Sequence, residues 1–216
     1  MSFLSDNASA IFGVAGVLLG GVLTYAAGWR LRKRDYDLRM WDRLMERRIA
    51  AHEGVLSAAL ELRVMNVIGG RDEQGELRRA PLVLASREDF EDWFARVALV
   101  ANAGSPWLST EATREVNFMQ DYVLTLHENA RSVPSELFPE LGVIVRQDFI
   151  DLSDSLERAA HSFFRRDIRS LTLRDADEWH KYPREETERR LNATRLMTEW
   201  SRVANLCEQG SCSNAS

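Results

Sequence analysis

Residues 10–29 read AIFGVAGVLLGGVLTYAAGW, twenty positions without a charge, and no other part of the chain constrains its fold as strongly. A helix rises about 1.5 Å per residue, so this stretch matches a hydrocarbon core of roughly 30 Å. Tyr25 and Trp29 fall near its C-terminal edge, where amphipathic rings favour the headgroup level. Arg30, Arg32, Lys33 and Arg34 follow at once. A cleaved leader requires a basic start and a shorter apolar run. Here Asp6 is the only charge before the stretch, and the small residues Ala26, Ala27 and Gly28 lead straight into RLRKR. The pattern predicts a retained transmembrane helix over 10–29. By the positive-inside rule a short tail, 1–9, lies outside the cell (inner or plasma) membrane and the C-terminal domain is cytoplasmic.

Within the predicted span, Gly16, Gly20, Thr24 and Gly28 recur every fourth residue and share one face. Small side chains there let two helix backbones approach closely, so this face is expected to associate with another helix, giving a homo-oligomer. Residues 30–48 carry eight basic side chains against four acids, while the chain as a whole has a formal charge of −5. A basic collar on an acidic chain suits anionic lipid headgroups, with Arg30, Arg32, Lys33 and Arg34 as the contacts, and argues against nucleic acid as a partner.

The soluble part has few helix breakers and no convincing period-two alternation, which predicts an all-α fold. One stripe through Leu38, Trp41, Met45, His52, Val55, Ala59 and Leu62 continues the anchor into a basic juxtamembrane stalk helix, 30–68. Gly69-Gly70 and the polar run to Pro81 read as a loop, 69–85. A helical bundle over 86–206 follows, antiparallel and of four to five helices, with breaks at Pro106, Pro134 and Pro183. One long helix is expected from near Pro139 to about Leu173. The last helix is expected over about 185–206, burying Leu196, Met197, Trp200 and Val203, with a disordered tail at 207–216.

Chemistry is sparse. The sequence has no Gly-rich phosphate loop, no H-E-x-x-H and no G-x-S-x-G. Cys207 and Cys212 lack further ligands at zinc spacing, and His52, His127, His161 and His180 are scattered, so no metal, cofactor or catalytic site is expected. The stripe Asp148, Asp151, Asp154 and Glu157 reads as a solvated helix face. Arg47-Arg48-Ile49-Ala50-Ala51-His52 resembles the R-x4-H spacing of the HEPN family of small helical ribonucleases, and Arg174 to His180 gives R-x5-H. The resemblance implies an Arg that holds a phosphate and a His that moves a proton. It covers six residues, in a chain where arginine is abundant.

These features favour a non-enzymatic, single-pass, membrane-anchored helical module for interaction, scaffolding or signalling, with an unidentified cytoplasmic protein partner. A membrane-disrupting effector gated by its bundle is the first alternative, and a HEPN-like ribonuclease the second.

Overall fold

A computed structural model describes residues 8–71, 75–167 and 181–213. The chain is mostly helical, as its pattern predicts, and divides into two compact units, Met1–Glu46 and Arg47–Ser216.

Helix α1, Ala8–Arg63, contains no proline and runs for 56 residues. From Val17 to Leu23 its large apolar side chains are uncovered: Val17, Leu18, Leu19, Val22 and Leu23 are all exposed, Val17 at 77%, whereas Met45 near the end of the unit is buried. Successive residues advance by 100°, so these five occupy most of the circumference, and Gly16, Gly20 and Thr24 fill the remainder. The helix has no polar face over this stretch. Among the described residues, no helix is long and apolar enough to cross a membrane. The side chains of Ile11, Phe12, Val14 and Ala15, which the sequence counts within the span, lie outside those described.

In the second unit, α1 ends at Arg63 and the chain turns into an antiparallel hairpin, β1 (Met65–Arg71) and β2 (Leu77–Pro81). This corrects the expected helix to residue 68 and the expected loop at 69–85. The hairpin pairs Met65 with Pro81, Asn66 with Ala80 and Val67 with Arg79. Gly69 and Gly70, at φ of 28° and 77°, fall where the pairing register shifts between Val67 and Arg71, and Gly75 at 81° lies between the two strands; side chains disfavour this region. Alternation is hidden in the sequence because only the Ala80–Pro81 end of β2 is buried, while β1 is mostly exposed.

Helix α2 (Arg87–Gly104) starts at Ser86, whose hydroxyl oxygen accepts the Asp89 N–H at 3.1 Å. Helix α3 (Thr110–Asn129) starts at Ser109 in the same way, through Ala112 N–H. Helix α4 (Phe138–Ser162) passes into a π turn, Phe163–Asp167; the remainder of the long helix expected up to Leu173 lies outside the described residues. Helix α4 is central, packing on α3, on β2 and on the C-terminal helices. Gly142 makes the β2 contact possible, since a Cβ there would lie 2.8 Å from the Ala80 Cβ and 3.3 Å from that of Leu84. Leu62, Phe90, Trp93, Tyr122, Phe149 and Leu156 form the centre of the core.

The C-terminal region is broken where one helix is expected. It comprises α5 (Arg184–Asn192), α6 (Arg195–Thr198) and α7 (Trp200–Ser213). The breaks rotate the later residues, so Leu196 and Val203 are buried but Met197 and Trp200 are 38% and 40% exposed. Helix α7 continues to Ser213, through most of the tail expected to be disordered.

Candidate functional site

The residues singled out for helix association lie on one uninterrupted turn sequence of α1. Gly16, Gly20 and Thr24 are exposed and Gly28 is half-buried. A Cβ built on Gly16 or Gly20 would meet no atom within 4 Å. Thr24 Oγ1 donates to the Gly20 carbonyl at 2.8 Å, four residues back. Arg32 Nε donates to the Gly28 carbonyl at 3.2 Å, so the Arg32 stem lies along the end of that face. Arg30, Arg32, Lys33 and Arg34 are all exposed, and Tyr25, Trp29, Arg32 and Lys33 adjoin one another on the helix surface.

In the second unit two polar clusters are buried and a third is half-buried. The first holds the R-x4-H residues. His52 is wholly buried and stacks on Phe163 at 3.7 Å between ring centres. Its Nε2 accepts the Ser109 N–H at 3.1 Å, and its Nδ1 donates to the Arg48 carbonyl at 2.7 Å, the tautomer this arrangement requires. Arg48 lies over the Phe163 ring and Arg47 over Trp107, at 5.0 and 5.2 Å. His52 thus ties α1 to the start of α3 and to the end of α4. A general base must reach a substrate proton, and this imidazole faces protein on both nitrogens. Arg174 and His180 lie outside the described residues, as does Trp179.

The second cluster is Asp148. Its carboxylate accepts Arg195 N–H at 2.7 Å, Leu196 N–H at 3.0 Å and the Tyr122 hydroxyl at 2.9 Å. Burial pushes this carboxyl above the ordinary aspartate range, against the lowering effect of the hydrogen bonds. Burial raises the Tyr122 phenol as well, with the Asp148 charge adding to it. The expected solvated stripe is therefore corrected at its first member. Asp151, Asp154 and Glu157 do remain at the surface, the last two paired with Arg63. Asp148 falls between Val145 and Leu152 on the apolar side of α4, and that position was the readable signal of its burial.

The third cluster was not visible in the sequence, since its members come from separate helices. Glu115 on α3 accepts from the Tyr182 hydroxyl and from Arg190 Nη2 at 2.9 Å. The Arg190 guanidinium sits 3.8 Å over the Phe118 ring and 4.8 Å over that of Tyr182. Burial, with Glu115 adding to it, pushes the Tyr182 phenol up to about 12. An open cleft of about 750 Å³ borders this cluster, lined by Arg114, Asp121, Tyr182, Arg184 and Glu188. Its charges are of both signs, and Arg184 pairs with Glu188 at 2.7 Å.

Among the described residues, no group of three His, Cys, Asp or Glu side chains is placed to hold a metal ion. His127 stacks near Phe90 and His161 lies 3.5 Å from Glu157. Cys207 and Cys212 lie on α7, with side chains outside those described. The three polar clusters each join elements of the fold. Comparison with family models, with curated proteins and with solved structures finds no match to this chain.

Proposed function

We propose that the chain is a single-pass membrane protein whose N-terminal helix anchors a cytoplasmic helical module, non-enzymatic in action, and that it self-associates and receives a cytoplasmic protein partner. The observation carrying the reading is the surface of α1 between Gly16 and Trp29. Large apolar side chains cover one side, glycines and Thr24 the other, and every one of these large side chains is uncovered. A helix apolar on all sides is stable inside a protein core or inside lipid. Lipid is the medium that also accounts for Tyr25 and Trp29 followed by Arg30, Arg32, Lys33 and Arg34.

The glycine face supplies the route to self-association, through close backbone approach. The basic collar supplies attraction to anionic headgroups, about 1 kcal/mol per charge near the surface. Residues 49–216 carry the acidic balance of the chain, which directs the search for a protein partner toward basic surfaces and away from nucleic acid. The buried His52 and the absence of a catalytic motif in the sequence favour interaction over catalysis.

Membrane fractionation of the full chain tests the anchor. Retention in the pellet through alkaline carbonate and high salt, with a C-terminal tag shielded from external protease, is the expected result. Release by carbonate would overturn it.

A further inference from the structure

The anchored reading leaves part of α1 unexplained. Leu38 lies nine residues beyond Trp29, about 14 Å along the axis, so acyl chains cannot cover it. It is nevertheless 51% exposed, and Leu31, seven residues earlier, is 61% exposed. Seven residues make two turns, so both leucines lie on one side of the helix.

The charges around them are ordered with respect to that side. With Leu31 and Leu38 at the first position of a heptad, Arg34 takes the fourth, Asp35 the fifth and Arg30 the seventh of the preceding repeat. In a parallel pair of helices, the seventh position of one faces the fifth of the next repeat in the other. The fourth position packs beside that same fifth position. Asp35 of each copy therefore meets Arg30 and Arg34 of the other, which offsets the opposition of the two Arg34 side chains across the seam, and all three residues are exposed. The next repeat differs. Asp37 and Asp42 take the corresponding seventh and fifth positions, which sets like charges opposite each other. The complementarity ends with Leu38.

We propose that residues 30–38 form a short parallel two-stranded contact with the same residues of a second copy, closed by Leu31 and Leu38 and clasped by Asp35 against Arg30 and Arg34. A parallel arrangement follows from the anchored reading, on which the proposal rests, because copies inserted in one membrane point the same way. The contact lies outside the bilayer, and because Leu31 falls two turns beyond Thr24 it continues the side of the helix that carries the glycine face, although the small residues of that face carry no part of it.

Single-cysteine scanning of residues 30–40 tests it, in the full chain, in native membranes, on a Cys207→Ser, Cys212→Ser background. Oxidative crosslinking should peak at Leu31→Cys, Arg34→Cys and Leu38→Cys and fall at Arg32→Cys, Lys33→Cys and Tyr36→Cys. Adding Asp35→Arg should lower dimer yield at Leu31→Cys by about fivefold, and the charge-neutral swap Arg30→Asp, Asp35→Arg should restore much of it. A flat profile over 30–40 would overturn the contact. Gly20→Cys in the same background separates the two readings. A flat profile with strong crosslinking there refutes the contact and leaves association through the span, whereas no crosslinking anywhere refutes both.

Discussion

The carboxylate of Asp148 caps the helix that begins at Arg195, accepting that residue's N–H at 2.7 Å across 47 positions of sequence. Thr194, at the usual capping position, makes no side-chain cap of its own, so α6 takes its N-terminal partner from α4. Asp148→Ala should cost about 3 kcal/mol, from the lost cap and the unpaired Tyr122 hydroxyl. Chemical denaturation of the full chain in detergent measures it. The pH dependence has a definite sign. The folded carboxyl lies above its ordinary range, so the folded state holds the proton longer than the unfolded one. Stability is then lost as pH rises from the ordinary aspartate range through the raised value, and levels off above it. Asp148→Asn should remove that slope.

Gly142 is the tightest point between α4 and the hairpin, and Gly142→Ala forces Ala80 away. A loss of about 1–3 kcal/mol is expected. Hydrogen exchange should speed up first at the paired amides of residues 65–67, 79 and 80, and unchanged protection there would refute the assigned packing.

Tyr182 should ionise near 12. Ultraviolet titration of wild type against Tyr182→Phe isolates that phenol. Glu115→Gln removes a neighbouring negative charge and should move its midpoint down toward the ordinary tyrosine value. Arg190→Ala leaves Glu115 without its cation in a half-closed setting and should destabilise by about 2 kcal/mol.

His52→Ala should lower stability by about 3 kcal/mol, since it opens a void beside Phe163 and leaves Ser109 N–H unpaired. Thermal unfolding checks this. A variant as stable as wild type that loses a ribonuclease activity would reverse the structural assignment of this histidine.

Leu19→Arg places a charge in the apolar stretch and should disfavour insertion by about 3 kcal/mol. Carbonate extraction of this variant, compared with Arg32→Leu beyond the span, reads the effect. Equal retention of both would argue that residues 10–29 do not lie in lipid.

Much of the second unit was legible because its helices are bounded by local signals. Ser86 and Ser109 announce α2 and α3 as caps, and Pro183 immediately precedes α5. The hairpin was not legible, because its buried end packs against Gly142, more than sixty residues away, and its exposed strand carries no alternation. The breaks in the C-terminal helices were hidden for a similar reason: a carboxylate on α4 makes a new helix start at Arg195 acceptable. Glu115 and Arg190 lie on different helices, and residue spacing reports only neighbours on one helix. The glycine face was readable from sequence alone, since it needs nothing beyond the period of a single helix.

Thr24 has the only hydroxyl among the four residues of that face, and it is already bonded to the Gly20 carbonyl of its own helix. A neighbouring helix would therefore find no free donor there, and meets the face chiefly through its contour. Replacing the hydroxyl by a methyl, as in Thr24→Val, preserves the outline and should leave recognition intact. Selectivity among partner helices would then be a matter of fit, and sensitive to anything that alters how closely two backbones lie, including the thickness of the surrounding bilayer.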